Sequence, residues 1–131
     1  MKRELRSNRL SEPAGVFSQG IETPLQGSML FLSGLTARDI DGSVLGVGDV
    51  TAQTERCLDN LVILLEEGGA SLDDVVAVTV YLRDMGDFDA VHEARRRYFR
   101  APFPSSTMVE VSALALPEML VEITAIAVKQ P

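Results

Sequence analysis

The chain has 131 residues, 46% of them hydrophobic, with 12 Lys and Arg against 19 Asp and Glu for a net charge of −7. Those values describe one folded domain, 1–131, that buries about two-thirds of its unfolded surface, and they exclude a disordered or collagen-like chain. The acidic balance repels phosphate backbones and anionic membranes, and one His with one Cys assembles neither a usual zinc ligand set nor an internal disulfide. Neither a nucleic acid, a membrane nor a metal is therefore an expected partner. The charged start, Met1 to Leu10, lacks a secretory apolar segment and points to the cytoplasm.

Residues 1–13 are polar and end at Pro13, which reads as a mobile arm. Val16 to Ile21 and Met29 to Ser33 are short apolar runs separated by Thr23, Pro24, Gln26 and Gly27, the pattern of a hairpin. Asp39, Asp41, Gly42, Gly46 and Gly48 form a turn-rich loop. Asp49 caps a helix running to about Glu67, with Leu58, Leu61, Val62 and Leu65 on one stripe and Gly68 and Gly69 as its stop. Cys57 falls on that inner stripe, as a small buried hydrophobe. Val75 to Leu82 is a nearly continuous β-branched run, a strand covered on both faces. Asp87 caps a second helix from Phe88 to about Phe99, with Phe88, Val91, Arg95 and Tyr98 near one face. Two closing strands follow, Thr107 to Leu114 and Met119 to Val128, joined around Pro117.

The order predicts an α+β fold with two helices on one face of a sheet. Both alternating faces of Val75 to Leu82 and of Leu120 to Val128 are apolar, yet two helices cover only one side. A homo-oligomer is the economical way to cover the other.

Several segments together resemble one family. They are Pro13-Ala14-Gly15-Val16-Phe17-Ser18-Gln19-Gly20, Leu30-Phe31-Leu32-Ser33-Gly34, Gln53-Thr54 leading to Asn60-Leu61, and Val78-Thr79-Val80-Tyr81-Leu82 with Asp84-Met85 and Asp87-Phe88. Phe103-Pro104, Val109-Glu110-Val111, Val121-Glu122-Ile123 and Ala125-Ile126-Ala127 complete the set. Their order and spacing are similar to the Rid (YjgF-like) reactive-intermediate deaminases over residues 13–128. The resemblance implies a chorismate-mutase-like mixed sheet with two helices on one face, assembled as a homotrimer with a central barrel and with small-molecule clefts between subunits. It also implies hydrolysis of the C=N bond of imines or enamines without metal or organic cofactor.

An arginine in the family's proline-alanine-arginine-serine motif grips the substrate carboxylate, where a planar fork suits a planar anion. Here Ser106 stands at that position and Thr107 at the motif's serine, after Ser105. Loss of a charge-assisted hydrogen bond implies roughly 10- to 150-fold weaker binding of a 2-imino acid. Phe17 replaces a frequent tyrosine, Leu35 a frequent glutamine and Met108 a frequent cysteine, so the expected pocket is less positive and more apolar.

Glu122 is the catalytic candidate, because it interrupts an apolar strand where an unpaired charge is costly. In the family the glutamate at this position holds the hydrolytic water, and burial would bring its pKa towards the range useful for proton transfer. The alternative is an outward-facing strand residue. Glu110 would face Glu122 if the closing strands formed a hairpin. Ser33, Gly34, Leu35, Phe17, Phe88, Ser105, Ser106, Thr107 and Met108 are the candidate substrate-binding residues. His92 reads as a surface or packing residue, and Arg95, Arg96, Arg97 and Arg100 as a solvated face in which Glu93 pairs with Arg97. Arg38, shortly after Ser33-Gly34, is a candidate to replace the missing guanidinium from a different direction. The reading is a deaminase of an imine or enamine other than the generic 2-imino acid; the rival is a non-catalytic ligand-binding trimer or regulator of the same fold.

Overall fold

In the computed structural model, which describes residues 1–131, the main sheet holds four strands: β3 (Ser28–Leu35), β4 (Val75–Leu82), β5 (Ser105–Glu110) and β6 (Val121–Lys129). Their spatial order is β3-β6-β4-β5, with β6 antiparallel to both neighbours and β4 parallel to β5. A short strand β1 (Arg3–Leu5) pairs with β2 (Gly20–Glu22), and helices α1 (Val50–Glu67) and α2 (Phe88–Tyr98) complete the chain. The mixed sheet with two helices is the α+β class expected. No helix is long and apolar enough to cross a membrane.

The first helix forms where the sequence places it. The Asp49 side chain accepts the Ala52 N–H, satisfying one of the orphan donors of the first turn, and Gly68 closes the other end. Cys57, Leu58, Leu61 and Leu65 are buried against the sheet, and Val62 is half-buried. Each of those leucines contributes about 1.5 to 3 kcal/mol by leaving water. Burial pushes the Cys57 thiol up to about 12, with the Glu122 charge adding to it, so the thiol is inert near neutral pH.

Alternation then divides the sheet. Val78, Val80 and Leu82 of β4 and Val121, Ile123, Ala125 and Ala127 of β6 are buried on the helix side. Ala77, Thr79 and Tyr81, with Glu122, Thr124 and Ile126, are only partly covered, and Phe31 is 70% exposed. Within one chain, therefore, the strands read as covered on both faces are covered on one.

Several expectations are corrected. The N-terminal arm is tied down: β1 pairs with β2, and Lys2 Nζ donates to the Val75 carbonyl at 2.8 Å. The segment from Val16 to Ile21 makes no hairpin with Met29 to Ser33, because β2 pairs with β1 and β3 pairs with β6. Gly27 takes φ +78° and packs so tightly on the Lys129 carbonyl that a Cβ would collide, which turns the chain into β3 beside the C-terminal strand. The closing strands are no hairpin either, since β4 lies between β5 and β6. Asp87 occupies the cap position of α2 without a side-chain bond, whereas Asp84 accepts the Gly86 N–H in the preceding turn.

Candidate functional site

Glu122 lies on the uncovered face, directly across from Tyr81 and half-buried rather than dry. Its carboxylate packs on Gly34 so closely that a Cβ there would collide with it. Glycine at 34 is thus what leaves room for this carboxylate. Ser33 and Gly34 sit in the irregular stretch of β3 between Leu32 and Leu35 and are exposed beside it. Thr107 joins the same face through the row Thr107–Thr79–Thr124. Glu110 does not: it shares the side of Leu82 and Val121, and its carboxylate accepts the Met85 N–H at 2.8 Å. The proposed carboxylate pair is therefore absent, because adjacent register positions point to opposite faces.

Ser106, Met108 and Leu35 turn to the helix side, whereas Ser105, paired with Ala77, shares the face of Thr107. Ser106 pairs across Val78 to Ala125, and Met108 across Val80 to Ile123, so both point towards the helices. Leu35, opposite Ile123, packs on the core and, half-buried, also lines the open cavity between the end of β3 and α1. Ser105 spends its hydroxyl on the Val76 carbonyl at 3.1 Å. Phe17 is half-buried between Val16 and Ser18, in a segment pinned by Ser18, whose N–H donates to the Pro104 carbonyl at 3.0 Å. Phe88 is 41% exposed and stacks on His92 with ring centroids 5.3 Å apart.

His92 is a packing residue: it is buried, and Nε2 accepts the Val16 N–H at 3.0 Å. That bond requires neutral imidazole with its proton on Nδ1, which is buried and has no partner. Burial, then Arg95 and Arg96, hold its pKa below the ordinary value. The unfolded chain takes up the proton near pH 6.5 and the folded chain only at lower pH, so stability is full above about pH 6.5 and falls below it. As this is the one histidine, stability against urea is expected to fall from pH 7 to 5.5 with a slope of at most one proton, and His92→Gln to abolish that slope.

The arginine cluster divides. Arg96, Arg97 and Arg100 are exposed and pair with Glu93, Glu55 and Asp73, so Glu93 meets Arg96 and not Arg97. Arg95 is 2% exposed, contrary to the solvated face expected. Its Nη2 donates to Ser106 Oγ at 2.8 Å and to the Val16 carbonyl at 3.5 Å, and burial alone lowers its pKa to about 10. The signal was present in the spacing, for Arg95 stands one turn after buried Val91 on the inner stripe. Arg38 is exposed and donates to the Gly42 carbonyl at 3.2 Å, so the guanidinium at Ser106 comes from α2 and not from the loop after β3.

Residues 7–129 match the family model described as Endoribonuclease L-PSP. A RutC family protein of Pyrococcus abyssi is 38% identical over 129 residues, covering 98% of both chains. A 2-iminobutanoate/2-iminopropanoate deaminase of Dermatophagoides farinae is 28% identical over 113 residues, 86% of each. A solved structure from Yersinia pestis, described as a protein of unknown function of the conserved Rid family, superposes with TM-score 0.89 at 30% identity and covers 98% of both chains.

Proposed function

This chain belongs to the Rid (YjgF-like) family, and from that premise we propose that it is a hydrolytic deaminase of an imine or enamine, acting in a cleft between subunits of a homotrimer. The observation that carries the proposal is the seat of Glu122, whose carboxylate rests over Gly34 on a sheet face that nothing in the chain covers. The helix-side group of Phe88 and Ser106 lies on the opposite side of the same sheet, so one chain supplies two half-sites that meet only when copies assemble. Exposed Phe31 and Met29, at 70% and 52%, are apolar surface that a second copy removes from water. Three sheets closing into a barrel would cover it.

In the proposed reaction an enamine first tautomerises to the imine. Glu122 takes a proton from water as the water oxygen bonds to the imine carbon and passes that proton to the nitrogen, giving a neutral carbinolamine. Glu122 then moves the carbinolamine's hydroxyl proton to the nitrogen as the C–N bond breaks, releasing ammonia and leaving a carbonyl compound. Ser33, with Ser106 and Thr107 of β5, holds the substrate for attack.

The test follows ammonia from freshly generated 2-iminobutanoate and from a panel of neutral and aromatic enamines. Faster release than in buffer from any of them supports the proposal. Ligand binding at the cleft with no acceleration favours the non-catalytic reading, for which the serine at 106 in place of the family arginine speaks. The ribonuclease in the family model's description fits less well, since a net charge of −7 opposes a phosphate backbone.

A further inference from the structure

We propose that Arg95, through Ser106, forms the anion-binding end of the cleft, so that the ligand carries a carboxylate or a similarly planar anion. The inference rests on the cleft reading above and adds the polarity of its far end. A guanidinium has five N–H donors and a permanent charge. Here it is 2% exposed, yet only Nη2 is engaged, with a hydroxyl and a carbonyl, both neutral. None of the ion pairs in the chain includes it, and no carboxylate counters the loss of solvation. A charge removed from water without a counter-ion is among the most costly features a fold retains.

A second orphan lies one turn away. His92 Nδ1 is buried without an acceptor, while Nε2 holds the N–H of the same Val16 whose carbonyl Arg95 holds. A charge without a counter-ion and a donor without an acceptor are thus fixed around one backbone residue, next to Phe17. Ser106 connects this cluster to the surface. It is only half-buried, its Oγ accepts from Arg95, and its own O–H remains to donate outward with the guanidinium behind it. An anion docked on that hydroxyl supplies the missing charge. The loss of positive charge inferred from Ser106 alone is thereby reversed, because the cation arrives from α2 instead of β5.

The experiment titrates 2-oxobutanoate, with butanone as neutral control, and reads the His92 ring signals by NMR, since His92 is the single histidine and adjoins the cluster. Wild type is expected to bind the carboxylate. Arg95→Gln is expected to weaken it about 10- to 150-fold with butanone unaffected, and Arg95→Lys to recover part of the loss. Ser106→Ala, which keeps the buried cation, is expected to weaken the carboxylate selectively as well. Placing an arginine at 106 in the Arg95→Gln background is expected to restore binding. Equal weakening of carboxylate and ketone, or undiminished carboxylate binding in Arg95→Gln, overturns the proposal. So does dissociation of the oligomer in Arg95→Gln, which would assign the counter-charge to a neighbouring copy. Arg95-dependent carboxylate binding without imine turnover defeats the deaminase reading alone, whereas imine turnover indifferent to Arg95 defeats this one alone.

Discussion

Replacing Glu122 with glutamine is expected to lower kcat for imine hydrolysis by about 10²- to 10⁴-fold, the usual worth of a positioned general base, with KM little changed. Glutamine keeps the shape that packs over Gly34 and loses only the capacity to take a proton. The side chain is half-buried on the uncovered face, away from the helix-side core, so the folded state should survive the change. Steady-state ammonia release, with circular dichroism as the folding control, decides it. Retention of most of the wild-type rate would remove Glu122 from the chemistry.

The largest stability effect is expected at Gln53. It is fully buried on α1, its Nε2 donates to the Glu118 carbonyl at 2.8 Å and the Gly46 carbonyl at 3.3 Å, and its Oε1 accepts the Leu120 N–H at 2.9 Å. One side chain thus ties the helix to the connection that enters β6 two residues before Glu122. Gln53→Leu preserves volume and strands the Leu120 N–H and the Glu118 carbonyl, each worth about 1 to 3 kcal/mol when unsatisfied. The expected loss is about 3 kcal/mol, a large part of the 5 to 15 kcal/mol typical of a domain. Urea unfolding should show a lower midpoint at unchanged slope, and a loss under about 1 kcal/mol would contradict the clamp.

What could be read from the sequence followed periodicity. The Asp49 cap, the leucine stripe and the glycine stop defined α1, and the β-branched run defined β4, because each is a local pattern with a local cause. Pairing was not legible. Adjacency in the chain suggested hairpins at both ends, but β2 pairs with β1, and β4 lies between β5 and its expected partner β6, a consequence of packing across the whole sheet. The same error set Glu110 against Glu122. At Arg95 charge outweighed spacing: the run of arginines reads as surface, while the stripe through Val91 places the first of them inside. The Glu122–Gly34 contact joins residues that no local signal connects.

Subunit complementation puts the two half-sites to the test most directly. Glu122→Gln spoils the sheet-face half, and Ser106→Phe fills the helix-side half; each variant alone is expected to be inactive. Unfolded together in equal amounts and refolded, they should regain about a quarter of wild-type activity, the share of clefts that draw an intact half from each copy. A mixture as inactive as its components would mean that the reacting groups do not come from two chains.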